Sequence, residues 1–160
     1  MNIIDGKMIS SKLKEEYKSK IAEMSKKPNL VMIRIGDDEA AAIYCRSKAK
    51  TCLELGITCS ELHLNADITQ EELLSQIDML NDDDSVTGIL VESPIPFHLN
   101  ILEAFDRISP KKDVDGLNSI NLGLLAGNHP NFVPATPSRN YEIIKRIQDF
   151  NRWQKVCGSW

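Results

Sequence analysis

Apolar positions along the chain change their period several times, and each change marks an element. Between Ser10 and Met24, the residues Leu13, Tyr17, Ile21 and Met24 recur three and four apart among lysines and glutamates, the stripe of a helix with one buried face. Pro28 and Asn29 end it. Leu30-Val31-Met32-Ile33-Arg34-Ile35 is then a nearly continuous apolar run, the pattern of a strand covered on both faces of a parallel sheet. After the turn Gly36-Asp37-Asp38, an alanine- and lysine-rich helix spans Glu39 to Leu55. It closes at Gly56, a residue suited to the left-handed conformation beyond a helix end.

Ile57 to Leu64 predicts a second strand. Thr69-Gln70-Glu71-Glu72 has the capping-box pattern, in which threonine and glutamate satisfy orphan backbone N–H groups. Leu73, Leu74, Ile77 and Leu80 line one face of the helix it opens. Gly88 to Val91 predicts a third buried strand, and Asn100-x-x-Glu103 opens a helix that turns Ile101, Leu102 and Phe105 inward. Two loops dense in turn residues follow, Ser109 to Gly116 and Asn128 to Pro137. Beyond them come a helix with Tyr141, Ile144, Lys145 and Ile147 and, from Trp153 to Trp160, the start of another strand. Alternating strands and helices predict an α/β fold, a three-layer αβα sandwich with a mainly parallel sheet. Ligands of such sheets sit beyond the carboxyl ends of the strands.

Composition narrows the function classes. With 160 residues the chain has room for one ordinary domain. A hydrophobic share of 42% and a charged share of 26% exclude disorder and collagen-like repeats. The 19 basic residues against 23 acidic ones leave a net charge of -4, without a Lys/Arg run to neutralise phosphates, so nucleic acid is not an expected partner. No apolar stretch approaches the length of a membrane span, and the first residues lack a secretory pattern, so no membrane partner and a cytoplasmic location are expected. Cys45, Cys52, Cys59 and Cys157 lack zinc-type spacing, which predicts reduced structural thiols and no metal.

Three segments carry candidate chemistry. Tyr44 and Lys48 stand four apart, so on a helix they address one point, a flat ring beside an amine. A pocketed lysine of this kind can take or give a proton, although the same spacing also fits a solvated helix face. Val91-Glu92-Ser93-Pro94-Ile95-Pro96-Phe97-His98 ends the third strand, and its prolines stiffen it either as a binding wall or as a plain connector. In Lys112-Asp113-Val114-Asp115-Gly116, two carboxylates can recognise ligand N–H groups or cap the next turn. No further acids at calcium-loop spacing accompany them, so a ligand is preferred to a metal.

Together, in this order, the segments resemble the methylenetetrahydrofolate dehydrogenase/cyclohydrolase family. Its Tyr-Val-x-x-Lys-x-Lys motif is matched by Tyr44, Cys45, Lys48 and Lys50, followed by Gly56-Ile57. Its Gly-Ile-Leu-Val-Gln-Leu-Pro-Leu-Pro motif is matched, with changes, by Gly88 to Pro96. Its Lys-Asp-Val-Asp-Gly and Asn-x-Gly are matched by Lys112 to Gly116 and Asn121 to Gly123, and its Pro-Ala-Thr-Pro by Pro134 to Pro137. The resemblance runs from Ile4 to about Lys145.

It implies a folate-binding catalytic domain over residues 1–137. Residues 138–160 would then hold a linking helix and the truncated start of an NAD- or NADP-binding Rossmann domain, the rest of which is absent. The implied reactions are oxidation of 5,10-methylene-tetrahydrofolate to the methenyl form and hydrolysis of that form to 10-formyl-tetrahydrofolate. Lys48, Tyr44, Asp115 and Glu92 would be the catalytic set. Val91, Pro94, Pro96 and Gly116 would join Tyr44, Lys48 and Asp115 in holding the folate. No residue of this chain is assigned to the cofactor, and family members are commonly dimers, which makes a homodimer the implied assembly. One alternative is a non-catalytic folate-binding or subunit-interaction module derived from such an enzyme. Two departures bear on that choice: the family's glutamine is Glu92 here, and Ala41 replaces a serine. A carboxylate in reach of an amine favours its ammonium form, which would make Lys48 a poorer base.

Overall fold

The computed structural model describes residues 6–134. Its centre is β1 (Asn29–Ile35), flanked by β2 (Thr58–Leu64) and β3 (Gly88–Val91) in the order β2-β1-β3, all parallel. Successive side chains of a strand point to opposite faces, and β1 uses both. Val31, Ile33 and Ile35 pack on Leu73 and Ile77 of α3 (Gln70–Asp82) and on Ala104 of α4 (Ile101–Arg107). Met32 packs on Cys45 of α2 (Glu39–Leu55), together with Leu90 of β3. Helices therefore cover both faces, in the three layers that the alternation predicts. α1 (Gly6–Glu23) lies against α2. β2 is an edge strand, and none of its side chains is fully buried.

The helix ends form as their sequences dictate. Asp38 accepts a hydrogen bond from the Ala41 N–H at 2.7 Å, and Gly56 closes α2 at φ +83°. Thr69 and Glu72 cap α3 reciprocally: the Glu72 N–H donates to Thr69 Oγ1 and the Thr69 N–H to Glu72 Oε2. Lys112 serves the other end of α3, where its amine donates to the carbonyls of Leu80, Asn81 and Asp83 at 2.7 to 2.9 Å.

Three details differ from the expected pattern. In α1 the buried positions are Ile9 and Ile21, whereas Tyr17 is half exposed, as is Met24 just beyond the helix end; the helix begins earlier and packs mainly on α2. Leu102 is exposed and Ala104 points inward instead, because Ile101, Ala104, Phe105 and Ile108 form the three-and-four period that faces the core. α5 (Ser119–Ala126), capped by Asn118, occupies a stretch with no predicted element. The helix expected around Ile144 and the strand from Trp153 lie outside the described residues.

The segment after Pro110 behaves as a short extension of the sheet. The Ile89 N–H donates to the Lys112 carbonyl at 2.7 Å, and Ile89 and Asp113 form a parallel bridge. This close approach depends on Gly88, where an added Cβ would fall 2.5 Å from Val114 Cγ1. Valine is stiff about χ1, so it cannot swing aside freely. Gly88→Ala is expected to destabilise the protein by about 1–3 kcal/mol, and the added change Val114→Ala to restore most of that loss. Urea denaturation of the two variants checks this.

Candidate active site

Glu92 is the first residue beyond β3, and its N–H still donates to the Ile33 carbonyl at 2.8 Å. That last backbone bond carries the strand alternation one step further. Leu90 faces α2, Val91 faces the opposite core, and Glu92 faces α2 again. Its side chain is only 6% exposed, and a carboxylate so placed is costly unless paired and hydrogen-bonded. α2 supplies the partners. Lys48 Nζ donates to Glu92 Oε2 at 2.8 Å, and the Cys45 thiol approaches the same oxygen at 3.9 Å. One turn before Lys48, the Tyr44 ring lies beneath the ammonium, 4.3 Å from Nζ to the ring centroid. Tyr44 itself is 57% exposed, so the ring is available for stacking.

The two aspartates of the nearby loop have different surroundings. Asp113 is buried and accepts three hydrogen bonds: from the Gly116 N–H at 3.0 Å, the Asn118 N–H at 2.9 Å and Asn121 Nδ2 at 2.8 Å. Its oxygens hold the loop to the start of α5. Asp115 is half-buried and makes no side-chain hydrogen bond among the described residues. Burial pushes its carboxyl above the ordinary aspartate range, Lys48 opposes that rise, and Asp113 and Glu92 add to it. Partial desolvation without a bonded partner among the described residues makes Asp115 a candidate recognition group.

The structure brings Tyr44, Lys48 and Glu92 into direct contact and sets Asp115 within the electrostatic reach of Lys48 and Glu92. All lie beyond or beside the carboxyl end of the sheet, where such folds bind ligands. Val91 is different: its side chain is sealed in the α3/α4 core. Pro94 is exposed and Pro96 half-buried, with Ile95 between them anchored against that core, and the Ser93-Pro94 bond is cis. Gly116 adopts φ +67° and lies against Pro134.

Sequence reasoning left two parts of this arrangement unassigned. Cys45, which the sequence reads as a reduced structural thiol, is indeed free and buried, but its contact with Glu92 arises only when α2 docks. Arg34 and Glu61, paired at 2.6 Å on the same sheet face, read as ordinary strand residues. Burial raises the Cys45 thiol above its usual range, and the carboxylates Glu92 and Glu61 raise it further. It is therefore a protonated packing residue.

Residues 4–115 match the catalytic domain of tetrahydrofolate dehydrogenase/cyclohydrolase. The chain belongs to the tetrahydrofolate dehydrogenase/cyclohydrolase family. A relative from Ruthia magnifica named bifunctional protein FolD is 44% identical over 157 residues, 98% of this chain and 56% of the relative. Another of that name, from Acetivibrio thermocellus, is 41% identical and matches 89% of this chain and 51% of its own length. The solved structure of the bifunctional FolD methylenetetrahydrofolate dehydrogenase/cyclohydrolase from Campylobacter jejuni has a TM-score of 0.89 at 41% identity, covering 92% of this chain and 54% of that one. The Trypanosoma brucei FolD structure, complexed with NADP and an inhibitor, has a TM-score of 0.82 at 28% identity, with 90% and 51% covered. This chain spans about half the length of the curated relatives it matches.

The Trypanosoma brucei relative is complexed with NADP, and the described residues do not fit such a nucleotide. A dinucleotide pyrophosphate needs bare N–H groups at a glycine-rich helix start. Here α2, α3, α4 and α5 are closed by the side chains of Asp38, Thr69, Asn100 and Asn118. Among the described residues no group of three or more His, Cys, Asp or Glu is placed to hold a metal ion, and no helix is long and apolar enough to cross a membrane.

The two aspartates of this family domain should separate experimentally. Asp113→Ala leaves three donors without their acceptor and is expected to cost about 3 kcal/mol. Asp115→Asn should behave oppositely. A carboxyl raised in the folded state contributes its stability below the unfolded value and loses it as the pH rises through the folded one. The stability of Asp115→Asn relative to the parent should therefore increase between about pH 4 and pH 7, as read from denaturation midpoints across that range.

Proposed function

We propose that this chain provides the folate site of a methylenetetrahydrofolate dehydrogenase/cyclohydrolase, with residues 1–137 as the folate-binding domain and residues 138–160 leading into the NAD- or NADP-binding part. The observation that carries this reading is the convergence of an open aromatic ring, an amine and an unbonded acid. Tyr44 stacks on the pterin, Asp115 accepts its N–H groups, and Gly116, Pro94 and Pro96 with the backbone of Val91 border the ligand. Lys48, held by Glu92, exchanges a proton with the water that adds to the one-carbon unit. The hydrolysis forms a bond from that water oxygen to the methenyl carbon. One ring C–N bond breaks, and the freed nitrogen takes a proton. The oxidation of the methylene form belongs to the same proposal at the level of the family, with a hydride passing to a nicotinamide ring held outside the described residues. The homodimer and the cytoplasmic location implied by the family are part of it too.

The second reading is a folate-binding or subunit-interaction module without turnover, favoured by the ion pair that ties the Lys48 amine to Glu92. Titrating the 160-residue chain with 5,10-methenyl-tetrahydrofolate and following loss of the methenyl absorbance separates the two. The enzyme reading expects binding, and hydrolysis that falls about a hundredfold or more in Lys48→Ala. Binding with no Lys48-dependent hydrolysis selects the module, and no binding overturns both.

A further inference from the structure

We propose that Glu92 makes this site selective for charge: it favours a folate whose reacting ring is a cation, the methenyl form, over folates with a neutral ring. The inference rests on the folate reading above and deepens it by naming the charge state of the preferred ligand.

The argument begins with the ionic groups around the Tyr44 ring. The Lys48 ammonium lies over it, 4.3 Å from the ring centroid. By itself this ammonium would repel a second positive charge stacked on the same ring. Glu92 answers it at 2.8 Å from a buried position, where water and salt screen the contact poorly. On the other side of Cys45, Arg34 and Glu61 form a second closed pair at 2.6 Å. Both cations are thereby matched, and the half-buried Asp115 is left as an acid with no partner among the described residues. An acid that is disfavoured by burial gains when a cation arrives beside it. The exposed Tyr44 ring adds a π face, which attracts a flat cation more strongly than a neutral ring.

Glu92→Gln keeps the shape of the side chain and a hydrogen-bond acceptor for Lys48, and removes only the charge. The test compares two ligands with the same glutamate tail, 5,10-methenyl-tetrahydrofolate and the ring-neutral 5-formyl-tetrahydrofolate. Affinities are measured at mildly acidic pH by rapid mixing, before the methenyl ring hydrolyses. The parent chain should prefer the cation, and Glu92→Gln should cut that preference about tenfold, mainly by weakening the methenyl form. Glu92→Asp, which restores the charge, should recover part of it. An unchanged preference, or equal weakening of both ligands, overturns the inference and leaves the folate site standing. Failure of the parent chain to bind either ligand overturns the folate reading itself, and this inference with it.

Discussion

A carboxylate sealed beneath a helix has to be neutralised where it stands, and the Lys48–Glu92 contact is how this fold meets that requirement. The consequence reaches in both directions along the chain. Glu92 is held in place because its backbone still belongs to the ladder beside β1, and β1 is fixed by burial on both faces. Lys48 is held because Cys45, three residues before it, is fully enclosed against Met32 and Leu90. The ion pair thus joins a helix and a strand that hydrophobic packing has already aligned. The Lys48 ammonium takes its place over the Tyr44 ring as a result.

The loop around Asp113 shows the same economy with a different outcome. Two aspartates two residues apart face different tasks because one finds three donors and the other finds none among the described residues. Asn118 and Asn121 complete the arrangement. Both are fully buried, and Asn118 Nδ2 donates to the carbonyls of Phe105, Asp106 and Ile108 at the end of α4. Among the described residues no fully buried side-chain nitrogen or oxygen lacks a hydrogen-bond partner, which is what allows the Asp113, Asn118 and Asn121 cluster to lie beside an apolar core.

Much of this was legible in the chain as written. β1, β3, α2 and the Thr69–Glu72 cap follow from local rules: two-sided apolar runs, a closing glycine, and paired capping residues. α5 was illegible because Ile120, Leu122, Leu124 and Leu125 surround it without a polar face, and Gly123 interrupts it. No period marks such a segment as a helix. The motif spacing placed Tyr44 and Lys48 on one side of α2, and the departure at Glu92 could be named from the motif alone. The different surroundings of Asp113 and Asp115 could not, since they depend on where α5 starts. Likewise Cys45 and the Arg34–Glu61 pair gain meaning only when α2 closes over the sheet.

The three hydrogen bonds from Lys112 to the end of α3 have a mechanical meaning. The stretch that bears Asp115 is fastened on one side to β3, beneath it to α3, and on the other side to α5. A chain segment tied at three places fluctuates with the sheet and not as a surface loop. The acid is therefore held in place by the fold itself, and in the proposed site little ordering entropy would be surrendered there on association. By contrast, the Tyr44 ring projects from a single helix into solvent. In the folate site proposed above, rigidity at the acid and exposure at the ring would divide the encounter into two parts: the fixed carboxyl would set the orientation of an incoming molecule, and the aromatic surface would adapt to its thickness.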